Sequence, residues 1–152
     1  MNTLKQLIQR YQQAVNYWCY LTPFFDLAIR AYLCWVFFRA GLAKIQSWDS
    51  TLSLFENEFS VPLLSPEAAA WLGTAAELSL PLLLLFGLGS RAAAGALFVF
   101  NIIAVISYPD LEPAGVNMHY LWGWLMLMIV FHGAGKLSLD TLVKQLLPPK
   151  QA

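Results

Sequence analysis

Four ionisable side chains and one asparagine interrupt long apolar stretches of the sequence. They are Asp26, Arg30, Arg39, Glu77 and Asn101. In hydrocarbon a charged group needs an opposite charge, a hydrogen-bonding partner or a water-filled cavity. A carboxylate in such surroundings can also bind a ligand or exchange a proton. These residues are therefore the first candidates for chemistry, and their partners depend on the elements that carry them.

The elements are predicted to be membrane-spanning helices. The chain is 59% hydrophobic and 12% charged, about half of the usual charged fraction. Four apolar stretches of about 20 residues have the length that a helix needs to cross ~30 Å of hydrocarbon; they cover residues 24–46, 68–88, 91–108 and 118–135. A soluble all-α protein would have polar faces on most helices, which the last three stretches lack. We therefore predict an all-α integral membrane four-helix bundle, one domain over residues 1–152.

Two amphipathic helices are predicted to flank the bundle. Residues 2–19 carry apolar side chains at helical spacing, namely Leu4, Leu7, Ile8, Tyr11, Val15 and Trp18. This pattern favours a helix that lies on the membrane surface, and the alternative is a docking surface for a partner protein. The segment "TPFFD" is predicted to break this helix before the first span. Residues 138–147 are predicted to form a short amphipathic tail helix.

The charges are distributed unevenly, although the net charge is zero and predicts no attraction to nucleic acid. If both termini lie on one side, that side holds Lys5, Arg10, Arg91, Lys136, Lys144 and Lys150. The other side then holds Asp49, Glu56, Glu58, Glu67, Asp110 and Glu112, with Lys44 at its boundary. Because basic residues concentrate in cytoplasmic loops, both termini are predicted to be cytoplasmic.

Depth in the membrane suggests partners for the buried charges. Side chains lean toward the N-terminus of their helix, which brings Arg39 and Glu77 toward each other across a difference of ~6 Å. Asp26 lies one turn before Arg30 on the same helix face. We therefore predict the ion pairs Arg39–Glu77 and Asp26–Arg30. Two interpretations remain open: both pairs hold helices together, or Glu77 handles protons or binds a ligand.

A helical wheel of the first span gives a different grouping. Asp26, Arg30, Gly41 and Lys44 share one stripe, whereas Arg39 points nearly to the opposite side. The first span therefore has two polar faces. One of them is expected to face the bundle, and the other a partner subunit or the membrane boundary.

The histidines do not form a cofactor site. His119 and His132 lie ~20 Å apart along the fourth span, so they cannot ligate one haem iron. The sequence also has no Cys/His cluster with the spacing of a zinc or iron–sulfur site. We predict no metal site and no haem. His119 could still bind a metal or a quinone head, or be an ordinary interfacial histidine, and Asn101 is expected to hydrogen-bond to a neighbouring helix.

Four pieces of the sequence resemble the DoxX family of small four-span bacterial membrane proteins. They are "IRAYLCWVFFRAGLAK" with Arg30, Gly41 and Lys44, "ELSLPLLLLFGLGSR" with Glu77, Gly87 and Arg91, His119, and "GAGKLSLD" at residues 133–140. Together they cover about residues 27–140. Arg39 and the aromatic-rich N-terminal helix are not part of the pattern. The resemblance therefore offers Arg30 or Lys44 as the partner of Glu77 in place of Arg39.

The resemblance also implies a location and a biological setting. DoxX-like proteins are bacterial inner-membrane proteins linked to redox processes, among them thiosulfate:quinone oxidoreductases, quinol oxidases and complexes that respond to thiol stress. Others accompany systems for modified metal-binding peptides. These roles mostly belong to complexes, and the family supplies no catalytic residue for the small subunit. A stand-alone enzyme is therefore not expected.

Three functions follow as hypotheses. The first is a subunit without its own cofactor that docks or supports a redox or metal/thiol-stress system, with protein partners in the bilayer or further copies of itself. The second is a quinone-binding component of a membrane oxidoreductase, in which Glu77 and His119 handle protons. The third, a small transporter, is disfavoured because inverted repeats, and broken helices beyond Pro81, are absent from the sequence. The candidate residues are Arg30, Arg39, Lys44, Glu77, Arg91, Asn101 and His119.

Overall fold

A computed structural model describes residues 2–147, which form six α-helices: α1 (Asn2–Gln46), α2 (Trp48–Asn57), α3 (Pro66–Phe86), α4 (Ser90–Ser107), α5 (Pro113–His132) and α6 (Leu139–Leu146). Four of them, α1, α3, α4 and α5, are long and apolar enough to cross a membrane. The prediction of an all-α membrane helical bundle is confirmed. Lys150 and the last residues of the predicted domain lie outside the described residues.

The four long helices pack around one apolar core. α1 packs against α3, α3 against α4, and α4 against α5. Each contributes fully or almost fully buried side chains to the core, which contains Leu33, Phe37, Leu84, Leu97 and Met126. The outward faces of the same helices carry many large apolar side chains. Such surfaces are unfavourable in water and suit a lipid environment.

α1 corrects the predicted break at residues 22–26. It is one helix of 45 residues with Pro23 in its interior, so the segment 2–19 is continuous with the first span. Proline removes one backbone hydrogen bond and strains one turn, but a single lost bond does not end a helix that continues for many turns on both sides. At 1.5 Å per residue α1 is about 67 Å long, more than twice the thickness of the hydrocarbon. Its residues 4–20 are exposed on every side and extend beyond the bundle.

The fourth span also differs in its bounds from the predicted residues 118–135. α5 begins five residues earlier, at Pro113, and ends at His132. Proline favours the first turn of a helix because its fixed φ suits the helix and its missing N–H has no partner there in any case. The loop between α4 and α5 is therefore shorter than the sequence suggested.

Arg30 closes the end of the bundle that carries the α3–α4 turn, called here the turn end. Its side chain is fully buried. The guanidinium donates to the carbonyls of Leu84 and Leu85, at 3.4 and 2.9 Å, and to the carbonyl of Leu137. The last carbonyls of a helix have no partner within it and carry the negative end of the helix dipole. Arg30 thus satisfies the end of α3 from a neighbouring helix.

Gly87 makes room for this contact. It follows α3 with a φ of 70°, a left-handed conformation that favours glycine. A Cβ at this position would lie 2.6 Å from Nη1 of Arg30 and 2.5 Å from Cβ of Ser138. A larger residue would therefore displace the guanidinium or the chain before α6.

Asp140 caps the start of α4, as Arg30 caps the end of α3. Its carboxylate accepts hydrogen bonds from the backbone N–H groups of Gly89 (2.7 Å) and Ser90 (2.9 Å) and from the hydroxyl of Ser90 (2.7 Å). Burial alone would raise the pKa of Asp140, but the hydrogen bonds from Ser90 and Gly89 hold that pKa below its ordinary value. Asp140 also donates its own N–H to the carbonyl of Gly87 at 2.8 Å. α6 is thereby attached to the turn.

We expect Asp140→Ala to lower the free energy of unfolding by about 1–2 kcal/mol, because three donors at the start of α4 lose their acceptor. Unfolding in mixed micelles measures the change. Asp110→Ala removes an exposed carboxylate from the α4–α5 loop and serves as the control, with an expected change below about 0.5 kcal/mol. Equal stability of the two variants at pH 7 would contradict the role of Asp140.

The same variant has a defined pH dependence. Because the folded state lowers the pKa of Asp140, its carboxylate contributes fully above the unfolded-state value of about 3.9. The contribution is lost as the pH falls through the lower folded-state pKa. The stability difference between the wild type and Asp140→Ala should therefore disappear in strong acid.

Candidate functional site

A cavity of about 870 Å³ lies at the opposite end of the bundle, called here the α2 end. Side chains from α1 to α5 and from residues 61–64 line it, and most of them are apolar. Lys44, Glu77 and His119 are among the polar residues in its wall. Cavities of roughly 300–1,000 Å³ with apolar walls and a few polar groups are typical ligand sites. We call it the α2-end cavity.

A buried ion pair forms part of the cavity wall. Nζ of Lys44 lies 2.6 and 2.8 Å from the two carboxylate oxygens of Glu77, and the side chains are 18% and 8% exposed. Gly41 permits this contact, because a Cβ there would lie within 3.0 Å of Leu78 and Glu77 on α3. α1 and α3 therefore approach closely at Gly41, and Lys44 follows in the last turn of α1, where the helix dipole favours a cation.

The predicted pair Arg39–Glu77 is wrong. Arg39 is exposed, and its guanidinium lies 5.7 Å from the centroid of the Trp35 ring, within the range of a cation–π contact. Arg39 and Lys44 are five residues apart, which is a rotation of about 140° around the helix. Depth and side-chain lean favoured Arg39, but the rotation of α1 puts Lys44 on the side of α3. The helical-wheel grouping and the family resemblance both included Lys44.

The predicted pair Asp26–Arg30 is also wrong as a carboxylate–guanidinium contact. Arg30 donates through Nε to the backbone carbonyl of Asp26, at 3.4 Å. The carboxylate of Asp26 lies against Gly135 and 3.8 Å from Nε2 of His132. The carbonyls at the end of α3 and at Leu137 need donors, and they take the other guanidinium N–H groups of Arg30.

Asn101 and His119 connect α4 to α5 beside the cavity. Nδ2 of Asn101 donates to the backbone carbonyl of His119 at 3.0 Å, and Oδ1 lies 2.8 Å from Nδ1 of the same histidine. A carbonyl can only accept, so the first bond fixes the orientation of the amide. Oδ1 must then accept a hydrogen bond from the N–H at Nδ1. In the neutral ring this leaves Nε2 as the hydrogen-bond acceptor, and Asn101 makes the interhelical bond expected of it.

The aromatic residues around His119 are also positioned by contacts. The ring of Trp122 meets that of His119 edge-on, with centroids 4.8 Å apart, and meets Phe37 of α1 at 5.5 Å. Nε1 of Trp122 donates to the hydroxyl of Tyr32 at 3.1 Å. These contacts fix the position of His119 between α1, α4 and α5.

Arg91, the remaining candidate residue, lies at the turn end and not at the cavity. Arg91 donates to the carbonyl of Phe131 near the end of α5, at 3.2 Å, so Arg91 and Arg30 both bind helix-end carbonyls at the turn end.

The sequence did not predict the apolar part of the cavity wall. Phe55 of α2 contributes to it, together with Phe59, which follows α2, and residues 61–64. The near-helical spacing of Phe55 and Phe59 was the available signal.

The chemistry of the wall suits an organic ligand better than a metal ion. Among residues 2–147, no group of three or more His, Cys, Asp or Glu side chains is placed to hold a metal ion. The ammonium of Lys44 is a donor, and the carboxylate of Glu77 and Nε2 of a neutral His119 are acceptors. The surrounding apolar side chains lower the local dielectric, which strengthens hydrogen bonds to a ligand.

We expect Lys44→Met to lower the free energy of unfolding by about 2–4 kcal/mol, because Glu77 is left buried without its cation. The loss is smaller than for a fully buried pair because Lys44 is partly exposed. Lys44→Met combined with Glu77→Gln should recover much of this loss, and a double-mutant cycle measures the coupling. Arg39→Met is the matched control, with an expected change below about 0.5 kcal/mol. If Arg39→Met lowered the free energy of unfolding as much as Lys44→Met, the result would support the pair Arg39–Glu77 instead.

Comparison with known proteins agrees with the architecture. The DoxX family matches residues 25–109, which include the spanning part of α1, all of α3 and α4, and the Lys44–Glu77 pair. A protein of Haemophilus influenzae, named only as an uncharacterized protein, is 33% identical over 135 residues, or 82% of this chain and 86% of that protein. No solved structure matches the chain. The family match covers more than half of this chain, and the chain has four apolar helices long enough to span a membrane. The chain therefore belongs to the DoxX family of multi-pass membrane proteins.

Proposed function

We propose that the chain is an inner-membrane subunit of a redox-linked membrane system, and that it binds a lipid-soluble quinone in the α2-end cavity. The observation that carries this proposal is the cavity itself. Its walls are mostly apolar, yet they contain the Lys44–Glu77 pair and His119. A molecule with a polar, hydrogen-bonding head and an apolar body matches this combination.

The polar residues of the wall can each form a hydrogen bond with such a head group. The ammonium of Lys44 can donate to a carbonyl oxygen, because it uses only part of its donor capacity on Glu77. Glu77 and Nε2 of His119 can accept a hydrogen bond or hold a proton at the wall. A bound quinone would supply reversible two-electron, two-proton chemistry. The chain's own part is to orient the head and to hold or pass a proton, whereas electrons would be exchanged with a redox partner protein.

A second function, docking of a redox or metal/thiol-stress partner without a bound quinone, is favoured by a different observation. Residues 4–20 of α1 are exposed on every side, and their apolar stripe includes Leu7 and Trp18. α6 has a comparable exposed stripe with Leu142 and Leu146. Exposed apolar helix faces of this kind are typical of sites that bind a partner helix.

We further propose that both termini are cytoplasmic, on the distribution of basic residues. The native cysteines test this, because Cys19 is exposed and Cys34 is buried. A membrane-impermeant maleimide should label the protein in inverted inner-membrane vesicles and not in intact spheroplasts, and Cys19→Ser should abolish the labelling. Labelling of Cys19 in intact spheroplasts would indicate the opposite orientation, with both termini outside the cytoplasm.

Quinone binding is tested with the purified protein in lipid nanodiscs. A benzoquinone with a decyl tail should quench tryptophan fluorescence, since Trp122 lies in the cavity wall. Glu77→Gln and His119→Gln should each weaken binding by about ten-fold, the effect of losing one strong hydrogen bond to the head. Glu67→Gln and His132→Gln make the same substitutions at exposed positions outside the cavity and should leave the affinity unchanged.

The outcome separates the two functions. Quinone extracted from the gently purified protein, with the residue dependence above, supports the quinone site. A wild-type protein that neither carries nor binds quinone, and that co-purifies with a stoichiometric partner protein, would replace it with the docking function.

A further inference from the structure

The α2-end cavity continues into a groove between α3 and α4. Leu72 of α3 and Val99 of α4 both line the cavity, and they are 59% and 55% exposed. Ala76 and Ala96 line it between the same two helices. We call these four positions the α3–α4 groove. Its walls are made of apolar side chains only.

The groove faces away from the core of the bundle. Leu97 and Asn101 are buried on the inner side of α4. Val99 is two residues from each of them, which is a rotation of about 200° in either case. Val99 therefore lies on the opposite side of α4 from the core, and the cavity extends around the helix to reach it. In a bilayer this outer surface meets lipid chains rather than water.

The turn end explains why the groove opens where it does. Residues 87–89 connect α3 to α4 directly, and Arg30 and Asp140 hold the two helix ends there. The helices are thus fixed together at the turn end, whereas the cavity separates them at the α2 end. An opening between them can form only at that end.

The loop at the rim of the cavity has an unusual backbone. Leu63 lines the cavity, is fully exposed, and has a φ of 65°. For a residue other than glycine this left-handed conformation is unfavourable. An exposed leucine held in that way at the rim presents an apolar side chain to the membrane boundary, next to the groove. Strained residues of this kind often belong to functional sites.

We propose that the ligand enters the α2-end cavity sideways, from the lipid leaflet at the α2 end, through the α3–α4 groove. Its head lies at the Lys44–Glu77 pair, and its tail stays in the groove beside Ala76 and Ala96. The predicted ligand class is an amphiphile with a compact hydrogen-bonding head and one long apolar tail. This inference rests on the proposed ligand site and adds the route and the place of the tail.

The experiment fills the groove without touching the ion pair. Ala96→Phe places a ring in the groove, and Ala92→Phe makes the same change one turn earlier on α4, at an exposed position outside the cavity. Binding of a decyl-tailed benzoquinone and of the same benzoquinone without the tail is measured in phosphatidylcholine nanodiscs by tryptophan quenching. Thermal unfolding confirms that each variant is folded. Ala76→Phe, with Ala75→Phe as its control, provides a second pair if Ala96→Phe does not fold.

We expect the wild type to bind the tailed benzoquinone at least ten-fold more tightly than the tail-less one, because the tail concentrates the probe in the leaflet from which it enters and then packs between α3 and α4. Ala96→Phe should remove most of that advantage and leave the tail-less affinity nearly unchanged. Ala92→Phe should change neither affinity.

Two results would overturn the inference in distinguishable ways. If Ala96→Phe and Ala76→Phe bind the tailed benzoquinone like the wild type while Glu77→Gln weakens it, the groove is not the place of the tail, although the head site stands. If the wild type binds neither probe, the head site itself is absent, and the proposed function fails together with the groove.

Discussion

The hydrogen bonds from Arg30 to the end of α3 are the interaction on which the arrangement of the bundle depends. A helix that ends inside a membrane protein leaves carbonyl groups that water cannot reach, and they must find donors within the protein. The fully buried guanidinium of Arg30 supplies them and also binds the carbonyl of Leu137. One side chain of α1 therefore fixes α3 and the chain before α6 at the same point.

This closure has a consequence at the other end of the molecule. With Asp140 satisfying the first N–H groups of α4, the two ends joined by residues 87–89 are held firmly together. The helices can then separate toward the α2 end without loss of the hairpin. The cavity of about 870 Å³ occupies that space. A rigid, hydrogen-bonded end and an open, apolar end are thus two results of the same hairpin geometry.

The Lys44–Glu77 pair illustrates the difference between stability and specificity. A buried ion pair often adds little net stability over apolar residues of similar volume, whereas removal of one partner is costly. Its value here is that it provides a donor and an acceptor at fixed positions in a wall that otherwise offers almost none. His119 adds a further acceptor, and its orientation is set by Asn101 on the neighbouring helix.

A lipid environment, four membrane spans and the polar residues that merit attention all follow from the amino-acid sequence alone. Length and the scarcity of charge are sufficient for these conclusions, because hydrocarbon tolerates few other patterns. Which cation contacts Glu77, and which groups Arg30 binds, depend instead on how the helices pack. A helix that is apolar nearly all round has no marked inward face, so hydropathy does not define its rotation. Packing at Gly41 sets that rotation, and it selects Lys44 over Arg39.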